Sequence, residues 1–236
     1  MPASKTVPNE NQSGAVRDMF TRIAPNYDFM NRVITGGQDT RWRRIVIQRA
    51  ELPPNALILD LGAGTGDLAW DATLQRPNSH TIATDFTIPM MRVGQQKHPT
   101  PSIAWNAADA HHLPFPSNTF DAVISGFLLR NVTNLPQSLA EQYRVLKPGG
   151  KFASLDTTKP TPNPFSPFIK FYMHKVIPAL GRALTGQGDA YAYLPTSSEN
   201  FLRAEELVAH LAATGFRKIL YQRYMFGTIA IHWGEK

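Results

Sequence analysis

A largely parallel α/β sheet flanked by helices is the fold this sequence predicts, and three observations predict it. Short β-like apolar runs alternate with helix-like stretches between residues 56 and 156, the pattern of successive βαβ units. The first run, "ALILDL", leads directly into "GAGTGD", a glycine-rich turn that opens a helical stretch. Two strand-like segments at the end of the chain are separated by Phe226 and Gly227, too short a link for a crossover, so they are expected to pair antiparallel.

The elements follow in order. Residues 1–14, "MPASKTVPNENQSG", are polar with two prolines and read as a disordered tail without the apolar core of a secretory leader. Residues 15–50 read as helices, with Val16, Met19, Phe20 and Ile23 at helical spacing and a break at Gly36 and Gly37. Strands are expected at 56–61, 81–85, 102–107, 121–127 and 151–156, and helices at 67–75, 87–97 and 135–146, the last stopped by "KPGG". Residues 160–200 are rich in proline and aromatics and contain an interrupted amphipathic helix, "FIKFYMHKVIPALGRAL". A more regular helix spans 204–216 with Gly215 as its stop, and strands at 218–225 and 228–234 form the closing hairpin. This organisation is one domain over 15–236 with an inserted segment at 160–200.

Composition sets bounds. Of 236 residues, 42% are hydrophobic and 18% charged, ordinary for a soluble globular chain, and no run approaches the roughly 20 apolar residues of a membrane span. The absence of cysteine excludes disulfides, thiol nucleophiles and Cys-ligated metals. A net charge of +6 allows nucleic acid or an anionic lipid surface as partner. Only "RWRR" is densely basic, without the interleaved aromatics of an RNA platform, so no nucleic acid is expected.

The glycine turn indicates a ligand held close to backbone. Gly62, Gly64 and Gly66 are spaced G-x-G-x-G, which misses the third position of the dinucleotide fingerprint and lacks the lysine of a phosphate loop. Asp67 at the helix start would repel phosphate and suits a cationic ligand. Asp85 ends the second strand 19 residues after Gly66, where a carboxylate accepts ribose hydroxyls. Asp109 follows the third strand, within reach of an adenine amino group. Ribose, adenine and a positive charge together describe S-adenosylmethionine.

"LDLGAGTGD", "TDFTIPMM", "AADAHHLPFPSNTFDAV" and "RVLKPGG" resemble the successive motifs of class I methyltransferases. "MFTRIAPNYDFMNRVITGGQDTRWRR", "FLLRNVTN", "YAYLPTSSENF" and "TIAIHWGEK" extend the resemblance to the quinone-biosynthesis C-methyltransferases over about residues 16–236. The resemblance implies a Rossmann-like class I methyltransferase fold: a seven-stranded, mostly parallel sheet with one antiparallel strand and helices on both faces. It implies S-adenosylmethionine as cofactor, contacted by Asp60, Gly62, Gly64, Thr65, Gly66, Asp85, Phe86, Asp109, Ala110 and Gly126. Tyr27 and Asn31, within 15–50, would cover it, and 160–200 would lie on the substrate side. The implied reaction is C-methylation of a polyprenyl quinol, demethylmenaquinol to menaquinol. The benzoquinol precursor of ubiquinone and other lipid-like phenols are the alternatives, and a nucleic-acid methylase is the reading from another class. Arg130 and Asn131 would stand beside the acceptor as catalytic residues. Two departures fall near the ring: Leu128 replaces a usual glycine in "GFLLRNV", and "LDTTKP" replaces "LEFSKP".

A hydroquinol carbon becomes nucleophilic when a neighbouring hydroxyl ionises, so a base or a cation is required. Arg130 stays protonated and would serve as phenolate stabiliser rather than base. His111 and His112 are adjacent and point to opposite sides in an extended segment, so no metal is expected. Asp156 ends the fifth strand and serves either the site or a turn. The stretch from Phe165 to Leu184, with Lys170, Lys175 and Arg182, reads as a core helix and as an apolar entry for a polyprenyl tail near anionic headgroups. A cytoplasmic location with peripheral contact at the inner face of the membrane follows as the expectation, and a homodimer is left open.

Overall fold

The computed structural model describes residues 10–159 and 164–236. Its centre is a seven-stranded sheet of β1 (Leu57–Leu61), β2 (His80–Asp85), β3 (Ile103–Ala107), β4 (Phe120–Gly126), β5 (Leu146–Thr157), β6 (Arg217–Tyr224) and β7 (Ile229–Glu235), in the order β3-β2-β1-β4-β5-β7-β6. β7 runs antiparallel to both β5 and β6, and the other pairings are parallel. The three-residue turn Met225–Gly227 cannot carry the chain back along the sheet, so β6 and β7 form the expected hairpin.

Both faces of the sheet are covered, which explains why its strands are continuously apolar rather than alternating. Ile58, Ile124 and Leu155 face one side, where Trp42, Val46 and Ile47 of α3 (Gln38–Arg49) and Leu68 and Ala72 of α4 (Asp67–Gln75) pack. Their neighbours Leu59 and Val123 face the other side, against Leu139 of α6 (Leu135–Val145) and Leu207 and Leu211 of α10 (Ala204–Thr214). α5 (Ile88–Lys97) follows β2. Strand order reverses between β1 and β4, the switch point where ligands bind beyond the carboxyl ends of the strands.

Over that end lie α1 (Glu10–Ile23), α2 (Tyr27–Thr35), α7 (Ser166–Phe171), α8 (Ile177–Thr185) and α9 (Gly188–Asn200). Met19, Ile23, Met30 and Ile34 pack against Ile177, Ala190 and Tyr191, so the N-terminal helices and the inserted segment share one core.

The structure differs from expectation at several boundaries. α1 begins at Glu10, not at 15, and residues 1–9 of the expected tail lie outside the described residues. The first helical segment breaks at Ala24–Asn26, where Pro25 starts a 3₁₀ turn. The interrupted helix is resolved into α7, a π-helical turn over Tyr172–Val176, and α8. α9 was not anticipated, because Pro195 sits inside it and its polar residues follow no clean stripe.

Candidate active site

The turn after β1 is shaped by contacts that only glycine tolerates. Gly66 has φ +77°, and a Cβ there would lie 2.4 Å from the Trp105 ring. Gly62 has φ +70°, and a Cβ there would lie 2.8 Å from the Leu128 side chain. Leu128, in place of the usual glycine, thus closes over the turn.

Two narrow cavities of about 50 Å³ each flank this turn. One is lined by Tyr27, Asn31, Asp60, Gly62, Gly64, Thr65 and Gly126, and the other by Tyr27, Gly62, Gly64, Asp85, Phe86, Gly126 and Asn131. Gly66, Asp109 and Ala110 lie outside both. Gly66 packs on Trp105 instead. Asp109 turns its carboxylate to His111, accepting from the backbone N–H at 2.9 Å and contacting Nδ1 at 2.6 Å.

The carboxylates in these cavities have different surroundings. Asp85 accepts from the backbone N–H groups of Gly64 (2.9 Å) and Thr87 (2.7 Å), which fix its orientation and leave lone pairs on both oxygens for hydroxyl donors. Burial raises its pKa, against the opposing effect of those N–H groups. Asp60 has one hydrogen bond, from the Ala69 N–H at 2.9 Å, and its Oδ1 is buried without a partner. Burial, with the nearby Asp85 and Asp67, pushes its pKa up to about 8. An unpaired carboxylate oxygen at the turn suits a positively charged ligand group.

Asp67 has another role than the one its position suggested. Arg43 holds it at 3.0 Å, Lys97 also pairs with it, and His98 lies 3.2 Å away. Burial alone would raise its pKa, but the His98 hydrogen bond and the charges of Arg43 and Lys97 hold it well below the usual carboxylate range. Arg43 also binds Asp39 (2.8 Å) and Asp71 (3.2 Å). Lys97 reaches Asp28 of α2 at 2.7 Å, and Asp28 accepts from the Thr65 hydroxyl at 2.6 Å. Ion pairs therefore latch α2 and α3 to the glycine turn, and of this network the i,i+4 pair Asp39–Arg43 alone has a spacing signal.

A third cavity, of about 250 Å³, lies beside these two and is almost wholly apolar. Ile34, Ile169, Met173, Ile177, Leu194 and Met225 are among its lining, Arg130 and Thr157 are among its polar members, and Phe168 and Phe226 stand exposed around it. Arg130 donates from Nη1 to Asp156 at 2.6 Å, the two side chains being 4% and 3% exposed. This is a buried pair, not a surface salt bridge. Asn131 does not enter this cavity. Its Nδ2 donates to the Phe127 carbonyl at 2.9 Å and its Oδ1 accepts from the Tyr193 hydroxyl at 3.1 Å.

Phe127, which sequence reasoning missed, lines all three cavities. It has φ +60°, rare for a bulky residue, and its ring lies 5.0 Å from the Arg130 guanidinium. Strain of this kind persists where surrounding structure enforces it, often at functional sites. Here the Phe127 N–H donates to Leu155 at 2.7 Å, and its carbonyl is held by Asn131. His111 and His112 bond Asn134 and Gln137 and face none of the three cavities. Among the described residues no His, Cys, Asp and Glu cluster is arranged to hold a metal.

Sheet order, glycine turn and carboxylates at the strand ends define a class I S-adenosylmethionine-dependent methyltransferase. A methyltransferase from Thermotoga maritima has the same fold, with a TM-score of 0.62 over 93% of this chain and 99% of that one at 17% identity. Haemonchus contortus phosphoethanolamine N-methyltransferase 2, solved with S-adenosylhomocysteine, gives 0.68 over 94% of this chain and 60% of its own at 16% identity. The chain belongs to the ubiE/COQ5 methyltransferase family, whose profile matches residues 5–236. It is 45% identical to the ubiquinone/menaquinone biosynthesis C-methyltransferase UbiE of Desulfotalea psychrophila, over 94% of this chain and 90% of that protein. It is 39% identical to the demethylmenaquinone methyltransferase of Lactiplantibacillus plantarum, over 94% of this chain and 95% of that protein. The protein is an S-adenosylmethionine-dependent C-methyltransferase.

Proposed function

We propose that the enzyme methylates a ring carbon of a polyprenyl quinol, converting demethylmenaquinol to menaquinol. One observation carries this reading: a deep apolar cavity with Arg130 buried in its wall shares Phe127 with the cofactor cavities. The names of the relatives agree with it, several of them being demethylmenaquinone methyltransferases.

When bound, the cofactor supplies a methyl group already activated on a sulfonium. Asp85 would take the ribose hydroxyls, and Asp60 the positively charged end. Tyr27 and Asn31 would cover the cofactor, and Gly62, Gly64, Thr65, Phe86 and Gly126 would form the walls against it. Arg130 would stabilise the oxyanion that forms when the quinol hydroxyl ionises, with Asp156 fixing its direction. Phe127 would hold ring and methyl donor in line, and alignment of this kind is worth up to roughly 7–11 kcal/mol in favourable systems. The apolar walls would exclude water and receive the first part of the tail.

The remaining tail implies a lipid surface. Phe168 and Phe171 are 64% and 60% exposed on α7, and Phe226 is 63% exposed beside them. Lys159, Lys170, Lys175 and Arg182 are exposed on the same region of the chain. We read this face as peripheral contact with an anionic membrane. No helix among the described residues is long and apolar enough to cross one.

Incubation with methyl-labelled S-adenosylmethionine and a panel of naphthoquinols and benzoquinols, followed by mass spectrometry of the lipid, tests the reading. Label on the demethylnaphthoquinol ring is expected. Preference for a benzoquinol, or no labelled quinol, overturns it.

A further inference from the structure

Two residues that line the large cavity each carry a buried polar atom that makes no hydrogen bond within the protein: Arg130 Nε and Thr157 Oγ1. Among the described residues, they are the buried unpartnered side-chain atoms that belong to residues lining this cavity. Thr157 is 6% exposed and the Arg130 side chain 4%. Both are buried, whereas Phe168 and Phe226 in the same lining are exposed.

One carboxylate fixes both residues. Asp156 Oδ1 accepts from Arg130 Nη1 at 2.6 Å and from the Thr157 backbone N–H at 2.7 Å, while Oδ2 accepts from the Arg130 backbone N–H at 3.2 Å. Thr157 is also the last residue of β5, in register with Ile229 of β7. The adjacent hydroxyl behaves differently: Thr158 Oγ1 donates to the Leu202 carbonyl at 3.1 Å. The backbone is thus held from both sides, and the hydroxyl of Thr157, a wall residue of an apolar cavity, is left without a partner.

A buried hydroxyl without a partner is destabilising, and so is a buried guanidinium N–H. Two of them, held by a shared carboxylate in an apolar wall, make a recognition element for a ligand that brings two oxygens. We propose that Thr157 is a specificity-determining residue of the acceptor site, its hydroxyl binding one ring oxygen of the quinol while Arg130 Nε–H binds the other. The inference rests on the quinol reading above and adds to it a reason why the ring must carry two oxygens. Arg130, a cation, takes the oxygen that ionises. Thr157, neutral and able to donate or accept, takes the oxygen that does not. A site built to hydrogen-bond a hydroxyl discriminates strongly against an analogue lacking it, because its own polar group is then left unpaired. An acceptor with a single phenolic oxygen should therefore be a poor substrate, even with the same ring and tail.

The test uses the full chain and Thr157→Val, which keeps the size and β-branching of threonine and removes the hydroxyl. The parent is assayed with a demethylnaphthoquinol and with the matching mono-hydroxy naphthol carrying the same tail. The parent should favour the quinol strongly, by KM more than by kcat. In Thr157→Val the quinol KM should rise by roughly tenfold or more, about 1.4 kcal/mol per decade. The naphthol KM should move little, so that the preference between the two collapses. Cofactor affinity and melting temperature should not fall, because the hydroxyl has no partner in the protein to lose. Thr157→Ser, which restores the hydroxyl without the methyl, should recover most of the preference. A parent-like quinol KM in Thr157→Val overturns the assignment, as does a Ser variant as defective as the Val variant, which would make the methyl group the functional part. A parent that methylates no quinol overturns the acceptor reading itself, and the assignment with it; a parent that methylates quinol and naphthol equally overturns the assignment alone.

Discussion

Arg130 is buried against Asp156 and lines the apolar cavity proposed for the acceptor. If it stabilises the developing oxyanion, removing its charge should slow turnover by about 10²–10³ while cofactor affinity stays within about threefold. Arg130→Gln is the variant of choice, because both it and alanine remove the counter-charge of the buried Asp156, but the glutamine amide keeps a hydrogen-bond donor for that carboxylate. The deficit should shrink as pH rises, since the hydroxyl then ionises with less help; a deficit independent of pH would assign Arg130 a purely structural part. Asp60 makes a second residue-scale prediction. With its pKa pushed up to about 8 by burial, it holds a proton at neutral pH in the ligand-free protein. A cation bound beside it favours the charged form, so cofactor binding at pH 7 should release about one proton by linkage. Calorimetry in buffers of different ionisation enthalpy reads this directly, and Asp60→Asn should abolish the difference. Identical enthalpies in phosphate and Tris would dissociate Asp60 from the cofactor. That Gly62 and Asp85 stand at strand ends was legible in the sequence, and the structure gathers them with Asp60 around the small cavities. Thr157 and Phe127 were not. An unpaired hydroxyl and a φ of +60° are made by what the rest of the fold brings against them, and no spacing encodes that.

At the level of elements, the α7–α8 segment was read both as core and as lipid entry, and its apolar residues divide between a buried and an exposed face. Ile169 and Ile177 are buried, while Phe168 and Phe171 point outward, and the π turn over Tyr172–Val176 changes the phase between the two helices. The Tyr172 hydroxyl anchors that turn to the Ile34 carbonyl of α2 at 2.7 Å. The exposed face should bind vesicles of anionic lipid at low salt, with binding reduced by salt and by neutral lipid. Phe168→Ser combined with Phe171→Ser should weaken it at least about tenfold, since burying each phenyl ring is worth roughly 1.5–3 kcal/mol. Equal sedimentation with anionic and neutral vesicles would remove the electrostatic component, and an undiminished double variant would remove α7 from the contact. α4 and every strand but one were predicted to within a residue or two because their apolar runs are bounded by turn residues; β5 starts at Leu146, five residues before the expected 151, because "KPGG", read as a turn, lies within the strand. α9 was missed for the opposite reason: its helical state is imposed by packing on α8 and α2 against the preference of Pro195.

For the whole molecule, the alternation of strands and helices made the sheet predictable, and the short last turn fixed the direction of β7. Which core the N-terminal helices join was not legible, because the contacts of Met30 and Ile34 with Ile177 and Tyr191 span well over a hundred residues. That shared core has a thermodynamic consequence. α2 carries Tyr27 and Asn31 into the small cavities, and Asn31, Ile34 and Thr35 into the large one. The small cavities, at about 50 Å³ each, fall far short of the roughly 300–1,000 Å³ of ligand pockets, and α2, which lines them and the large cavity, is expected to shift when a cofactor enters. Occupancy of one site therefore changes the wall of the other, and the two ligands cannot bind independently. By linkage the effect is reciprocal: whatever factor S-adenosylhomocysteine applies to quinol affinity, quinol applies to the affinity for S-adenosylhomocysteine. Couplings transmitted by one mobile element are typically about 5–150-fold. Quinol titrations with and without S-adenosylhomocysteine should differ by a factor in that range, and coincident curves would mean that α2 moves without touching the acceptor. If the coupling is positive, the spent cofactor and the methylated quinol hold each other in place, and each slows the other's departure after methyl transfer.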